Sequence, residues 1–448
     1  MSEEAELIAK VLADPDDDGP RMVIADFWQS KGDPRGEFVT LQLRLAAAKD
    51  DDARRKIRIA ENKLLAAHGA EWSKALLAAA PASSPLRANK IAFHRGFLEE
   101  AAFPLSALDD LEPYFVAAPT LRQLRFDAPQ FGAAPLPPPS LTGKLDSPRL
   151  KGVRSLDLRV AAGGDLVALA IAESSQLTGL RELKLQASSW PVPGYTFFTG
   201  DPATHLLTSV GAAALARAPS LAGLTQLELT PNAIDSAGVK AIAGSAWKLE
   251  HLDLSGNKLD DAALTALADG AIARTLKSLV IGGGAFTPKG LETLAKSKAL
   301  GELQSLKFDG SQLGAKGLSA FLSALKLPKL TSLGLAMTAL ADEGAKVIAG
   351  AKSIGQFKSL ELQDNKITQA GVAALAESKL LGGLERLLLN DAWLGKKANL
   401  EQLAASTALA NCRIYVKGTL ISGKAKKEAK AKPPKAEKKA AAKKKGRT

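Results

Sequence analysis

Apolar residues recur through the middle of the chain in the spacing Leu-x-x-Leu-x-Leu, in which another apolar residue replaces Leu at some positions. Clear copies, 25 or 27 residues apart, begin at Leu224, Leu249, Leu276, Leu303, Leu330, Phe357 and Leu384. Looser copies begin at Leu121, Val153, Leu180 and Leu409. The last two apolar residues of each copy flank one outward position, which is typical of a short strand with one buried face. The sequence therefore predicts one short strand per repeat.

A helix is predicted between each strand and the next. Residues suited to the N-cap of a helix follow the strands at Asp235, Asp260, Thr287 and Thr368. Glycine occupies one equivalent position near the helix start, at Gly238, Gly290, Gly317, Gly344 and Gly371. The apolar residue four positions later should face the strand, at Ile242, Leu294, Phe321, Ile348 and Leu375. One strand and one helix cannot bury their own apolar faces, whereas stacked copies can.

Asparagine follows the strand in three copies, at Asn232, Asn257 and Asn365. A polar side chain at such a turn can satisfy backbone groups as the chain leaves the strand. Asparagine is missing after Ile281, Phe308, Leu335 and Leu389. We expect those turns to be looser.

These repeats resemble the leucine-rich repeat family, and their 27-residue helical form is similar to its ribonuclease-inhibitor class. The resemblance covers residues 86–416. It implies an α/β fold: a right-handed leucine-rich repeat solenoid with parallel strands inside and helices outside.

Residues 1–85 follow helical spacing instead, and apolar clusters are separated by Asp14-Pro15 and by Gly32. They predict a small domain of four helices. Ala25-Asp26-Phe27 and the string GDPRGEF from Gly32 to Phe38 resemble the repeat-companion domain found ahead of leucine-rich repeats in some bacterial proteins. That resemblance implies a bacterial source and no particular biochemical activity.

Composition narrows the class of protein. Hydrophobic residues make up 46% of the 448 residues but aromatic residues only 5%, so the core should be aliphatic. A single cysteine, Cys412, excludes a disulfide framework and a site with several thiolate ligands. The acidic N-terminus lacks the features of a signal peptide, and no apolar run is long enough for a membrane span. We therefore expect a cytoplasmic protein.

The net charge of +12 is concentrated at the C-terminus. From Lys424 onward, eleven Lys and one Arg stand against two Glu, which places +10 in 25 residues. Such a tract repels itself and has little to bury, so residues 417–448 are expected to form a disordered Lys-rich tail. Candidate nucleic-acid contacts are Lys424, Lys426, Lys427, Lys438, Lys439, Lys443, Lys444 and Lys445. A tail that only aids solubility is the alternative.

Two short motifs imitate ligand sites. Asp14, Asp16 and Asp18 resemble the start of a calcium loop, but Ala25 stands where that loop needs a bidentate Glu. Three consecutive glycines at 282–284 follow a strand, but the Lys and Ser/Thr of a phosphate-binding loop are missing. We interpret both as turns, and no metal or cofactor is predicted.

Catalysis by histidine is not predicted either. The four histidines, His68, His94, His205 and His251, lie far apart in the sequence. By repeat register only His251 should face the inner surface, beside Asp253 and near Glu228. Ser255 and Ser278 lie close by, but a Ser-His-Asp triad also needs a contact between base and nucleophile and an oxyanion hole. A regular ladder has no strained turn to expose a nucleophile, so no catalytic residue is assigned.

One repeat carries an insertion of about 17 residues, because the copies at Leu180 and Leu224 start 44 residues apart. The extra residues lie within 187–205, the aromatic insertion. They contain four of the 22 aromatic residues, namely Trp190, Tyr195, Phe197 and Phe198. Together with Lys184, Glu228, His251 and Asp253, they form the predicted partner-binding site. The alternative is a loop whose aromatic residues only pack on the edge of the repeats.

The sequence thus predicts a non-enzymatic interaction scaffold. The repeats would bind an unidentified protein partner, and the tail would tether the molecule to an anionic surface. One alternative is a nucleic-acid-associated protein that acts mainly through the tail, without sequence preference. Another is regulation of a small GTPase, by analogy of fold with Ran GTPase-activating protein.

Overall fold

The computed structural model describes residues 2–80, 86–87, 90–127, 141, 143–159, 164–186, 206–390 and 397–422. The helices are α1 Glu3–Ala13, α2 Gly19–Ser30, α3 Pro34–Ala47, α4 Asp51–Ala79, α5 Glu112–Ala117, α6 Gly164–Glu173, α7 Ser209–Arg217, α8 Ser236–Ala243, α9 Asp261–Asp269, α10 Pro288–Ala295, α11 Gly314–Ala324, α12 Ala341–Gly350, α13 Gln369–Glu377 and α14 Lys397–Ala405. The strands are β1 Ile91–His94, β2 Phe97–Pro104, β3 Gln123–Asp127, β4 Ser155–Arg159, β5 Glu182–Leu185, β6 Gln226–Glu228, β7 His251–Asp253, β8 Ser278–Val280, β9 Ser305–Lys307, β10 Ser332–Gly334, β11 Ser359–Glu361, β12 Arg386–Leu389, β13 Arg413–Val416 and β14 Thr419–Ser422. None of the described helices is long and apolar enough to cross a membrane.

The chain forms two compact units. The first comprises residues 1–284 and 297–302, and the second comprises 285–296 and the described residues from 303 onward.

The first unit contains α1–α9 and a sheet that starts with an antiparallel hairpin, β1–β2. From β2 to β8 each strand pairs in parallel with the next. Equivalent leucines of the repeat meet across the strands, as Leu183, Leu227 and Leu252 do, and solvent reaches none of them. The alternation of buried and outward positions confirms the predicted strands and their register.

The second unit contains α10–α14 and five parallel strands, β9–β13, which end in an antiparallel pair with β14. Leu409, Cys412 and Ile414 of the last copy are inaccessible to solvent, and burial raises the pKa of the Cys412 thiol to about 12. Residues 417–422, which the sequence places in the tail, form a turn and β14. This hairpin covers the edge that β13 would otherwise expose.

Helix caps also connect successive repeats. Asp235 caps α8 by accepting hydrogen bonds from the amides of Ala237 and Gly238, as its position predicts. Ser209, at the start of α7, donates its hydroxyl to the same carboxylate. A Cβ atom on Gly238 would lie 2.7 Å from Ser209 Oγ and 2.6 Å from Ile234 Cγ2. Glycine is therefore required at this position because adjacent helices approach closely there.

The asparagines at the turns bond the backbone of the preceding repeat. Asn257 Nδ2 donates to the carbonyl of Leu229 at 2.7 Å, and its Oδ1 accepts from the amide of Ile234 at 3.0 Å. The looser turns expected where asparagine is missing are not observed at Ser311 and Thr338, which are fully buried. Thr338 donates its hydroxyl to the carbonyl of Leu335 at 2.7 Å, so a smaller polar side chain can also satisfy the turn.

A helical region precedes the repeats, as predicted, and the GDPRGEF string shapes it. Asp33 caps α3, and Arg35 pairs with both Asp33 and Glu4. The Arg35 guanidinium also lies 4.3 Å from the ring centre of Trp28. Gly36 brings α3 against α2, since a Cβ atom there would lie 2.4 Å from the carbonyl oxygen of Ala25.

Aromatic contacts pack this helical region against the first hairpin. The ring centres of Trp28 and Phe97 lie 5.6 Å apart, and those of Phe38 and Phe93 are separated by the same distance. Val11, Ile24 and Val39 complete this core. The domain boundary at residue 85 stays a prediction.

Replacing Leu306 by Asp should destabilise the second unit by several kcal/mol, because β9 buries this side chain completely and the carboxylate would have no partner. Neighbouring repeats share one core, so unfolding should lose cooperativity and new protease cleavage should appear within 276–357. Limited proteolysis with mass spectrometry measures this. The matched control is Gln304→Asp, which places the same charge at an exposed position two residues away. Native-like unfolding of the Leu306 variant would contradict the buried register.

Candidate partner-binding site

Adjacent strands bring the four described residues of the predicted partner site together. Lys184 of β5 pairs in register with Glu228 of β6, and Glu228 pairs with Asp253 of β7. His251 lies at the start of β7, opposite Gln226. All four point away from the helices because their neighbours in each strand fill the core.

Ion pairs join three of these side chains. Lys184 Nζ lies 3.1 Å from Glu228 Oε1 and 3.0 Å from Glu182 Oε1. His251 Nε2 lies 3.8 Å from Glu228 Oε1. Burial alone would lower the pKa of Lys184, but the hydrogen bonds to Glu182 and Glu228 outweigh it and raise that pKa above its ordinary value. Lys184 therefore carries a fixed positive charge in the middle of the site.

Asp253 takes part in a different set of contacts. Its Oδ1 accepts hydrogen bonds from the amide of Ser255 at 2.8 Å and from the hydroxyl of Ser255 at 2.6 Å. The same hydroxyl lies 3.0 Å from Thr230 Oγ1. His251 instead lies toward Glu228, so these side chains are not arranged as a nucleophile with its base.

The charged ladder comprises the outward residues at one register position: Arg125, Asp157, Lys184, Glu228 and Asp253. Their charges alternate in sign from β3 to β6, which places opposite charges on adjacent strands. A similar pairing occurs in the second unit. There Lys307 reaches across Gly334 to Glu361, with 2.9 Å between Nζ and Oε2, because glycine leaves room for the lysine stem.

The other predicted site residues lie outside the described residues. Trp190, Tyr195, Phe197 and Phe198 fall within the aromatic insertion, and the candidate nucleic-acid contacts from Lys424 to Lys445 follow Ser422. Their place in the sites stays a prediction.

The structure reveals an arginine cluster that the sequence reasoning missed. Three guanidinium groups donate to the single carbonyl oxygen of Pro15: Arg21 at 2.9 Å, Arg95 at 2.8 Å and Arg122 at 3.0 Å. Arg21 also forms a fully buried ion pair with Glu99, at 2.6 Å. Burial lowers the pKa of Arg21, and the charge of Glu99 opposes that shift.

The acidic turn, residues 14–18, is held by this cluster. Arg122 Nη2 donates to Asp16 Oδ1 at 2.7 Å, and Arg154 Nη2 lies 3.5 Å from Asp16 Oδ2. The hydrogen bond from Arg122 lowers the pKa of Asp16, against the opposing effect of burial. Asp17 accepts from the amide of Gly19. These contacts give the acidic residues a structural role in the turn. No cluster suited to a metal ion occurs among the described residues.

The cluster continues into a groove of about 680 Å³, the arginine groove. Its arginines are Arg54, Arg58, Arg95, Arg122, Arg154 and Arg181. Its carboxylates are Asp16, Glu61, Glu99 and Glu182. His94 also lines the groove, with its Nε2 2.8 Å from Glu100 Oε2, although the register argument places only His251 on this face.

A known protein family matches three segments within the repeats. The family model described as Leucine Rich repeat matches residues 224–243, 248–268 and 357–376. The chain carries leucine-rich repeats. No curated protein matches it.

The solved structures that are similar to the chain include the following three. An internalin (inlF) from Listeria monocytogenes is 15% identical, with a TM-score of 0.31, and the match covers 60% of this chain and 75% of that chain. A chain from the structure of the Rad7 and Elc1 complex in yeast is 15% identical, with a TM-score of 0.43, and the match covers 91% of this chain and 91% of that chain. The ectodomain of the receptor kinase GASSHO1/SCHENGEN3 from Arabidopsis thaliana is 14% identical over 71% of this chain and 32% of that chain, with a TM-score of 0.31.

A sequence signal for the arginine groove does exist. Three consecutive leucine-rich repeats carry arginine immediately after their first apolar residue, at Arg122, Arg154 and Arg181. The later copies at Leu224 and Leu249 have Thr and Glu there. Because the repeats stack in register, a position shared along the sequence becomes a row on the surface.

Replacing Asp16 by Asn should lower the free energy of unfolding by about 1 kcal/mol or less. Arg122 loses its ion pair with Asp16, but the Asp16 side chain is largely exposed to solvent, which weakens that pair. The lowered pKa of Asp16 stabilises the fold fully above about pH 4, the unfolded value, and this contribution fades as the pH falls through the folded pKa. The two proteins should therefore converge in denaturant titrations at acidic pH.

Asp17→Asn is the control, because among the described residues the Asp17 carboxylate bonds only the amide of Gly19. If added calcium stabilised the wild type but not the Asp16 variant, the turn would be a cation site and the arginine account would be wrong.

Proposed function

We propose that this protein is a non-enzymatic interaction scaffold that binds a protein partner through the charged ladder and the aromatic insertion. The observation that carries the proposal is the position of the two ends of the insertion. Asn232 Nδ2 donates to the carbonyl of Leu185 at 3.0 Å, and its Oδ1 accepts from the amide of Leu207 at 3.1 Å. One buried side chain thus holds the chain on both sides of residues 187–205.

This anchor supports a site at the end of β5 and β6. Lys184 lies one residue before Leu185, and Glu228 lies next to Lys184 across the sheet. A protein interface usually needs aromatic or arginine anchors surrounded by polar residues. The charged ladder supplies the polar part on rigid strands, and the insertion would supply the aromatic anchors.

Lengthening a surface loop has a small entropic cost, about 0.6 kcal/mol for each doubling of its length, so an insertion of this size is tolerated. Four aromatic side chains in such a loop would promote aggregation unless they pack on this protein or on a partner. Trp190 and Tyr195 each carry a polar tip, which suits an interface that is partly hydrated.

The proposal also includes the class of the repeats, the type of N-terminal domain, the source of the protein and its location in the cell. The spacing of 27 residues supports the ribonuclease-inhibitor class, and the GDPRGEF string supports a repeat-companion domain and a bacterial source. The single cysteine supports a reducing compartment, the cytoplasm. The function requires no cofactor.

The double substitution Trp190→Ala with Phe198→Ala should abolish partner capture and leave thermal unfolding unchanged. Affinity pull-down and unfolding are measured on the same sample. A matched control is Leu166→Ala with Val210→Ala, since these side chains are 61% and 64% exposed on α6 and α7. Partners retained by a destabilised aromatic variant would show that the insertion only packs on the repeats.

A second candidate function, nucleic-acid association through the tail, rests on the +10 charge of the last 25 residues. Lysines at this density neutralise phosphates and release counterions without reading sequence. The tail lacks aromatic residues, so stacking on bases is not expected. In the scaffold proposal the same charge tethers the protein to an anionic surface.

The full chain should bind duplex DNA weakly, and if about six phosphates are contacted, affinity should fall about a thousandfold between roughly 50 and 200 mM salt. A chain ending at Gly423 should keep the fold, because β14 ends at Ser422, and should lose the binding. Fluorescence anisotropy with labelled duplexes measures both. Equal binding by the shortened chain would move the electrostatic site into the folded part.

A further inference from the structure

The arginine groove has more positive charge than its own carboxylates neutralise. Six arginines line it against four carboxylates. Glu99 pairs with buried Arg21, and Glu182 accepts from Lys184 and from the hydroxyl of Ser155. Glu61 accepts from the side-chain amide of Gln42 at 2.8 Å, and Glu99 also lies 3.6 Å from Arg95. Three of the four carboxylates are therefore already engaged by groups other than the six arginines of the groove.

Three of these arginines have no carboxylate partner among the residues that the structure describes. Arg54 and Arg58 lie one turn apart on α4, and their side chains are exposed. Arg181 lies at the start of β5 and donates only to the carbonyls of Leu180 and Gly223. A guanidinium is a planar donor that matches a carboxylate in geometry and charge.

The acidic turn shows what the neighbouring arginines bind. Arg122 donates one Nη to the backbone carbonyl of Pro15 and the other to the carboxylate of Asp16. Arg95 contacts the same carbonyl and lies 3.4 Å from the carboxylate of Asp18. An acidic stretch of main chain is thus already seated on one side of the groove, and the free arginines extend that surface.

We propose that the arginine groove binds an acidic, extended peptide segment of a partner protein. Arg54, Arg58 and Arg181 bind its carboxylates. Glu61 and Gln226, which also line the groove, provide acceptors for its backbone amides. The phosphates and sugars of a nucleic-acid backbone carry no N–H donors for these acceptors, so the peptide is the better match.

The residues of the charged ladder do not line the arginine groove, so this inference does not depend on the proposed function. Glu182 lies between the groove and the charged ladder, since it lines the groove and also pairs with Lys184 of the ladder. One partner could therefore contact both surfaces.

The test measures the affinity of the full chain for fluorescein-labelled hexaglutamate, with unlabelled oligothymidylate as a second probe. Arg54→Glu with Arg58→Glu should weaken peptide binding at least about tenfold, and Arg181→Glu should weaken it as well. The control, Lys56→Glu with Lys63→Glu, makes the same change in net charge on the opposite face of α4, where both lysines are exposed. The Lys-rich tail is identical in every variant, so any peptide that it binds is a constant background, and the effect of the groove is the difference between variants.

Circular dichroism verifies that all variants keep the fold. The substituted positions of α4 are exposed, so these changes should not disturb the core. The site is supported if only the groove variants bind the peptide more weakly and if Trp190→Ala with Phe198→Ala leaves peptide binding unchanged. Equal loss in the control pair, or no peptide binding by the wild type, overturns it. Groove-dependent binding of oligothymidylate in preference to the peptide would also overturn it, in favour of a nucleic-acid site.

Discussion

The fold of the repeats depends on burial that each repeat shares with its neighbours. A strand of three to five residues and one short helix cannot exclude water from their own apolar faces. Leu227, Leu252 and Leu279 lose all contact with solvent because they lie in register on adjacent strands, between the helices and the sheet. The stability of the fold is therefore a property of the stack, and register becomes its strongest constraint.

Register in turn organises the polar groups. Asn257 bonds the backbone of the preceding repeat, and Ser209 shares the carboxylate of Asp235 with the next helix, so polar contacts reinforce the stacking where the chain passes from strand to helix. The same constraint aligns the outward residues into rows. Lys184 and Glu228 are held at 3.1 Å on rigid strands, which prepares a polar surface before any partner arrives.

The helical region does more than cover the first hairpin. It places α4 and the acidic turn beside the starts of β3, β4 and β5, and the arginine groove exists only because these elements meet. Arg21 and Glu99 form the buried centre of this contact, where removing either partner would leave an unpaired charge away from water. The groove and the charged ladder meet at Glu182, so the two proposed recognition surfaces adjoin on the same sheet.

The sequence by itself determined the repeat length, the strands, the helix caps and the outward rows, because these follow from spacing within about 27 residues. It also placed Lys184, Glu228 and Asp253 on one surface, since equal register positions must align. Only the tertiary structure decided which charges pair. Arg122 meets Asp16 across 106 residues of sequence, and no local period relates a helical turn to the start of a strand. Such contacts arise from the packing of one region on another, which depends on complementary shape and burial rather than on any repeated pattern.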